Sequence, residues 1–413
     1  MTDREIAGLL PEFSGYLRPF AGCFLQARTR GHFEAYCRGL LSDLPRKSVE
    51  PMALACGTTV RTLQVFLADA VWDHGGMLRR LQERMADEVL ARRSDDGIGV
   101  VGVIDETSSV KKGVKTPGVQ RQYLGCVGKV DNGIVTVHVS VCVGEFRTLL
   151  DAALYLPKSW DEDRERCRAA GIPDEVGYRA KWRIAFDQLV GLYEAGHRFD
   201  WLTFDEGYGS KRPFLQLLTT LGQRFVAEVP VNFRVTTRSG HRRVDRVLPA
   251  AQARRGRRFR LRRSTVADQV WRAVKRRVVV GGRPMTLVVA ICEATGEVKR
   301  FLANASASLR RLLRVAFRRW TVEHLFRVAK QELGLTHFEG RHYSGLMRHL
   351  ILCLVVLGFV AIKTDRLRGE KSAGDDGAGV PGVEPAGGRV VCPTSGDAAP
   401  TARRRSDPLP SAA

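Results

Sequence analysis

The run Ile98-Gly-Val-Val-Gly-Val-Ile104, continuously apolar and closed by Asp105, constrains this chain more than any other feature. Such a run reads as a buried strand in the middle of a sheet. Around it, Tyr123 to Gly128 and Gly133 to Val143 alternate like paired antiparallel strands, with Lys-Val-Asp-Asn-Gly turn chemistry between them. Arg179 to Gly196 reads as an amphipathic helix, followed by a short strand from Phe199 to Phe204 that ends in Asp205. A helix near Lys211 to Leu221 and a strand from Arg224 to Val229 complete the series.

Three antiparallel strands, a helix, a strand, a helix and a strand form the order of an α/β fold of RNase H-like type, a mixed sheet with helices on both faces. Residues 96–230 form its first part and residues 306–365 its C-terminal helices, one running from about Ser308 to Leu333 and one from Leu346 to Ile362. Between them, residues 231–305 read as a basic, β-rich insertion with strands at Val278–Val280, Met285–Ile291 and Lys299–Leu302. Residues 1–95 are expected to be helical, and residues 366–413, rich in Gly, Ala, Pro, Asp and Ser, to be disordered. Leu350 to Ile362 holds 13 residues without a charge; a membrane span needs ~20, so a buried core helix is expected. The start MTDREIAGLLPEF lacks a basic n-region, and the nine cysteines are scattered without a C-x-x-C pair. Both point to a reducing, cytoplasmic setting without disulfide framework or zinc ribbon.

The chain carries a net charge of +22, and residues 231–320, with 24 basic and 4 acidic side chains, hold nearly all of it. The densest part is Arg254-Arg-Gly-Arg-Arg-Phe-Arg-Leu-Arg-Arg263, where Arg254, Arg255, Arg257 and Arg258 interleave with apolar residues as on a folded basic face. Such a face suits a phosphate backbone through counterion release; composition does not separate DNA from RNA. In the N-terminal part, Ala53-Leu-Ala-Cys-Gly57 followed by Thr58 to Leu67 has helix-turn-helix spacing, placing Thr59, Arg61, Thr62 and Gln64 near the exposed start of a recognition helix. The same spacing serves an ordinary helical hairpin.

Three carboxylates carry the candidate chemistry. Asp105 and Asp205 each close a strand, so adjacent parallel strands bring them to one sheet edge; each also fits a turn or helix N-cap. Glu323 lies in Arg318-Arg-Trp-Thr-Val-Glu-His-Leu-Phe-Arg-Val-Ala-Lys330, where helical spacing puts Arg319, Glu323 and Lys330 on one face. An i,i+4 ion pair accounts for Arg319 and Glu323 equally well. Hard divalent cations take oxygen ligands, and two Mg²⁺ ions ~3.5–4 Å apart can activate a water or a 3′-hydroxyl and stabilise a leaving phosphodiester oxygen. No P-loop or G-x-G-x-x-G pattern of comparable quality occurs, so no nucleotide cofactor is expected.

With these residues in place, the chain resembles the DDE transposases of bacterial insertion sequences, in the group with a β-rich insertion and a Y-R-E-K signature. The resemblance rests on Val103-Ile-Asp-Glu-Thr-Ser-Ser-Val-Lys-Lys-Gly113, Gly118-Val-Gln-Arg-Gln-Tyr-Leu-Gly125 with Gly128-Lys129, Phe204-Asp-Glu-Gly-Tyr208, Arg319 to Lys330, Glu332-Leu-Gly-Leu335 and Phe338-Glu-Gly-Arg341. It implies that Asp105, Asp205 and Glu323 ligate two Mg²⁺ ions, with Mn²⁺ as substitute, and that Arg319 and Lys330 contact the DNA backbone near the cut. It further implies double-stranded DNA partners, terminal inverted repeats and target, which a homodimer or higher oligomer cleaves and joins. Lys111, Lys112, Arg121 and Tyr123, from the block after the first Asp, would hold DNA beside the metal site. Relatives with the insertion stack a Trp on an extruded base; Trp271, the one Trp within residues 231–319, is the candidate, with a core strand position as its alternative. The signature Tyr is departed from: Ala316 stands three residues before Arg319. The competing reading is a catalytically idle, transposase-derived DNA-binding protein.

Overall fold

The computed structural model describes residues 3–92, 97–261 and 269–375. Five helices open the chain: α1 (Asp3–Leu17), α2 (Ala27–Leu41), α3 (Val49–Ala55), α4 (Val60–Ala68) and α5 (His74–Ala91). Thr59 accepts the Thr62 N–H at the start of α4, and Asp73 accepts the Gly76 N–H at the start of α5. Each side chain satisfies a first-turn donor that the helix itself leaves open.

Four antiparallel strands follow: β1 (Val101–Val110), β2 (Gln120–Leu124), β3 (Lys129–Val143) and β4 (Phe146–Leu154), with β3 pairing all the others. This corrects the expectation of a first strand closing at Asp105. β3 pairs β1 along its whole length, from Val101↔Cys142 to Val110↔Gly133. That ladder carries β1 onward after its parallel neighbour stops at Ile104. β4 was not foreseen from the sequence. Next come α6 (Lys158–Asp161), α7 (Arg164–Ala169), α8 (Lys181–Glu194), β5 (Trp201–Phe204), α9 (Glu206–Gly209), α10 (Arg212–Thr220) and β6 (Phe225–Glu228). β5 lies parallel between β1 and β6, so the sheet is mixed, in the α/β arrangement expected.

The basic segment adds β7 (Arg234–Thr237), β8 (Gly240–Arg243), α11 (Val244–Val247), α12 (Ala250–Arg254), β9 (Arg257–Leu261), β10 (Gln269–Val280), β11 (Arg283–Cys292) and β12 (Val298–Ala303). These strands extend the same sheet, because β12 pairs antiparallel with β6, Phe301 opposite Glu228. The path runs β2-β3-β1-β5-β6-β12-β11-β10-β7-β8 within a 12-stranded sheet. Arg262 and Arg263 lie outside the described residues.

The helix expected from Ser308 to Leu333 is two, α13 (Leu309–Arg318) and α14 (Trp320–Gln331). At the junction Arg318 reaches the Gly144 carbonyl (2.9 Å), the Thr321 hydroxyl back-bonds the Arg318 carbonyl (2.6 Å), and the Arg319 N–H turns to Ala316 three residues back. Back-bonding of this kind bends a helix. Lys47 donates to the carbonyls of Leu40, Ser42 and Glu332, joining the C-terminal ends of α2 and α14.

The last helix, α15 (Tyr343–Asp375), runs past Ile362. Residues 366–375, expected to be disordered, continue it; residues 376–413 lie outside the described residues. By length and composition α15 could cross a membrane, yet 78% of its apolar window is buried inside the protein, against β4 and the N-terminal helices. Its polar anchors are internal: Tyr16 donates to the Val355 carbonyl, Tyr36 shares a hydrogen with His349, and Arg348 donates to the Leu67 carbonyl. The N-terminal helices therefore share a core with the helix that covers the sheet.

Candidate active site

Register decides which side chains meet. Ile104 pairs with Phe204, and Phe204 pairs with Ala227. The next residue on each parallel strand is an acid: Asp105, Asp205 and Glu228 stand level at one edge of β1, β5 and β6. Asp205 also caps α9, its carboxylate accepting the Tyr208 N–H at 3.3 Å, so the cap reading and the strand-end reading are both correct. Glu228 was missed from the sequence, although Phe225-Val-Ala-Glu228 repeats the pattern of an apolar run closed by an acid.

α9 sits very close to β6. A Cβ at Gly209 would lie 1.8 Å from the Glu228 carbonyl oxygen, so only glycine permits the approach that sets Asp205 beside Glu228.

Arg319 ties the acids together. Its Nη1 lies 3.5 Å from Asp105 Oδ2 and 3.7 Å from Glu323 Oε1, while its Nε lies 3.7 Å from Glu228 Oε2. Arg319, Asp105 and Glu228 are largely buried, with 14%, 15% and 13% of their side chains exposed; Glu323 is 63% exposed. Burial pushes the Asp105 carboxyl up to about 7, and repulsion from Asp205 adds to it; Arg319 and the Glu106 N–H, which donates to Oδ1 at 2.8 Å, pull the other way. Lys330, one face along α14, is held below the usual lysine range by burial, with the field of Asp105 partly offsetting it.

Around the carboxylates the packing is tight. The Tyr208 hydroxyl is buried without a hydrogen-bond partner, and burial, then the charges of Glu106, Asp105 and Asp205, raise its pKa well above the ordinary value. Glu106 turns away to pair with Lys181 at 2.6 Å. His138, opposite Asp105 on β3, is fully buried against Phe326 and bonded to Thr136 at 2.7 Å. Burial lowers its pKa to about 3, so it sits there as a neutral ring.

The remaining residues singled out above fall in several places. Lys112, Arg121 and Tyr123 are exposed along the outer edge of β2 and the loop before it. Lys111 donates to the carbonyls of Phe338 (2.6 Å) and Thr336 (3.2 Å), and burial lowers its pKa to about 8. It thus fastens the chain that follows α14. Arg254, Arg255, Arg257 and Arg258 are exposed at the end of α12 and on β9, with Arg258 paired to Glu293 at 3.0 Å. Arg61 and Gln64 are exposed one turn apart on α4, which packs against α3. Trp271 requires a correction. Its ring is completely buried between Phe317 and Trp320, on the inner face of β10, and offers no surface to an extruded base. Ala316 is buried in α13.

Asp105 and Asp205 offer an all-oxygen donor set, and two like charges crowded in a buried edge, beside an unpartnered hydroxyl, suit a hard divalent cation. Among the described residues no three His, Cys, Asp or Glu side chains stand close enough to enclose one; Glu323 reaches Asp105 through Arg319.

A mixed sheet whose central parallel strands end in level carboxylates, with a further acid supplied by a following helix, is the layout of an RNase H-like catalytic domain. The chain belongs to the DDE superfamily endonucleases, whose family model matches residues 19–287. The matched stretch includes Asp105 and Asp205 and ends before Arg319, Glu323 and Lys330. The chain is also similar to a protein of Microchaete diplosiphon described as a probable transposase for insertion sequence element IS701, 33% identical over 224 residues. That match covers 53% of this chain and 54% of the relative, so the chain spans about half the length of the curated relative it matches.

Proposed function

We propose that this chain is a DNA transposase that cuts the ends of an insertion sequence and joins them to target DNA, working as a dimer or larger assembly on two ends. The observation that carries the reading is the register that sets Asp105 and Asp205 side by side, with Glu323 brought to Asp105 by Arg319. In this reading Asp105, Asp205 and Glu323 hold two Mg²⁺ ions, with Mn²⁺ as a substitute. When bound there, such ions would activate a water or a 3′-hydroxyl and stabilise the leaving oxygen.

The protein's own contribution is positional. The β1–β5 ladder fixes the two aspartates, the cap at α9 orients Asp205, and α14 delivers Glu323. His138, the register partner of Asp105 on β3, is buried against Phe326 as part of the packed core under this edge. The exposed arginines of α12 and β9, with Lys112, Arg121 and Tyr123 at the far edge of the sheet, face DNA; Arg61 and Gln64 on α4 are a second contact. The test is Mg²⁺-dependent cleavage of a plasmid carrying the element's own flanking repeats, comparing wild type with Asp205→Ala. Cuts at the repeat ends by wild type alone are expected. Tight DNA binding without cleavage by either protein, with Mg²⁺ or Mn²⁺, would replace the proposal by an idle DNA-binding protein.

A further inference from the structure

The resemblance to the DDE transposases implies that Arg319 contacts the DNA backbone, whereas its surroundings give it a second task. Its guanidinium is largely buried and faces three carboxylates, Asp105 at 3.5 Å, Glu228 at 3.7 Å and Glu323 at 3.7 Å. Two of these, Asp105 and Glu323, are residues the reading above gives to the metal ions. Glu228 is not: its other oxygen is held by Lys299 at 2.7 Å, and its backbone is pinned opposite Phe301 in the β6–β12 ladder. Glu228 is therefore the fixed end of the arrangement. Arg319 stands at the junction between α13 and α14, where the helical ladder is diverted, and faces Glu228 from the other side.

We propose that Arg319 is a built-in counter-ion that competes with divalent cations for Asp105, and that Glu228 is a positioning residue that tethers Arg319 across the acidic edge. The inference rests on the reading of Asp105 as a metal-holding residue. A cation entering beside Asp105 must displace the guanidinium, because a carboxylate oxygen engaged by Nη1 has fewer lone pairs to give and a second positive charge is repelled at short range. Arg319 released from Asp105 is then free to meet a phosphate, its planar fork being suited to that partner. Glu228 keeps its share of the guanidinium throughout, so that removing Glu228 leaves Arg319 concentrated on Asp105 and Glu323.

The experiment measures Mn²⁺ binding to the full chain without DNA, by loss of the free-ion electron paramagnetic resonance signal. Wild type is compared with Arg319→Ala, Arg319→Lys, Glu228→Gln, the Glu228→Gln/Arg319→Ala double variant and Asp105→Asn. Asp105→Asn identifies the site, since binding that depends on Asp105 must be lost in it. Arg319→Ala is expected to bind Mn²⁺ about tenfold more tightly, ~1.4 kcal/mol at 25 °C. Arg319→Lys, which keeps the charge and loses the fork, is expected to lie between the two. Glu228→Gln is expected to weaken binding about threefold, and that effect is expected to vanish when Arg319 is already Ala, the signature of a residue acting through another.

If Asp105→Asn leaves Mn²⁺ binding intact, the metal-site reading fails and takes the proposal with it. If Asp105→Asn abolishes binding but Arg319→Ala leaves affinity unchanged, the counter-ion proposal alone fails. A Glu228→Gln effect of equal size with and without Arg319 would reduce Glu228 to a general field and overturn its tethering role. Should Arg319→Ala fail to fold by circular dichroism, the comparison of Arg319→Lys with wild type decides the counter-ion claim: an unchanged affinity rejects it.

Discussion

Asp151 lies on β4 with its carboxylate buried between two helices, Oδ2 accepting from Gln82 Nε2 on α5 and Oδ1 from Gln188 Nε2 on α8, both at 3.0 Å. Burial pushes its pKa up to about 6, although the hydrogen bonds from Gln188, the Ala152 N–H and Gln82 pull it down. Its ordinary value is 3.8. A carboxyl whose folded pKa lies above its unfolded pKa binds more protons in the folded state between the two values. Stability therefore falls as pH rises from about 4 to about 6, and the full cost is present above pH 6. Integrating the linkage gives a cost of about 3 kcal/mol at pH 8 and roughly half of that at pH 5, relative to the fully protonated group.

Asp151→Asn removes the charge and with it the cost. It also removes an acceptor, because one amide oxygen now faces two glutamine amides, a loss of about 1 kcal/mol. That loss does not depend on pH, so the difference between two pH values isolates the charge. Asp151→Asn is expected to be stabilised by about 2 kcal/mol at pH 8 and by less than about 1 kcal/mol at pH 5, a gap of roughly 1–2 kcal/mol. Urea unfolding followed by tryptophan fluorescence at the two pH values measures it. Equal changes at pH 5 and pH 8 would refute the argument, since a purely packing or hydrogen-bonding role moves both alike. A larger destabilisation at pH 8 than at pH 5 would show that the ionised form is the favoured one.

Asp105→Ala and Glu323→Ala are expected to abolish strand cleavage in a gel assay and to leave DNA affinity unchanged or slightly higher, because each removes repulsion from phosphate. Replacing Arg254, Arg255, Arg257 and Arg258 by Ala is expected to weaken DNA binding and to flatten the plot of log affinity against log salt by ~0.9 per lost phosphate contact; an unchanged slope would move the DNA interface elsewhere. Gly209→Ala forces a methyl group into the Glu228 carbonyl, and is expected to cost about 1–3 kcal/mol by thermal denaturation together with cleavage activity.

How far the fold was legible follows from which elements declare themselves by pattern. β5 and β6, like the first half of β1, are short apolar runs, and their order pointed to the mixed sheet. β4, Phe146-Arg-Thr-Leu-Leu-Asp-Ala-Ala-Leu154, was not legible because it is buried on both faces and so shows no alternation, and because Leu and Ala read equally well as helix. The division of the long helix at Arg319 depends on Thr321 and on a carbonyl of the β3–β4 turn that no local pattern announces. Nor could the basic segment's strands be assigned to the catalytic sheet: whether an insertion continues a sheet or forms its own depends on an edge being open, here that of β6, and an open edge is a property of the assembled fold.

The site divides along the same line. Asp105 and Asp205 could be read because each directly follows an apolar run, a local signal, and because parallel neighbours align the ends of such runs, even though β1 itself continues past Asp105. Glu228 carries the same signal but was hidden by its neighbours: Phe225-Val-Ala-Glu228 leads straight into Val229 and Pro230, which blur the end of the strand. Trp271 failed for the opposite reason, since a Trp on a basic strand looks available until the aromatic residues of the α13–α14 junction close over it. Arg319 shows the limit most directly. Helical spacing puts it with Glu323 whatever the rest of the chain does, whereas its contacts with Asp105 and Glu228 exist only because two strand ends and one helix start converge. The local pair was legible from spacing, and the three-carboxylate arrangement around one guanidinium, which determines the charge at the candidate catalytic edge, required the fold.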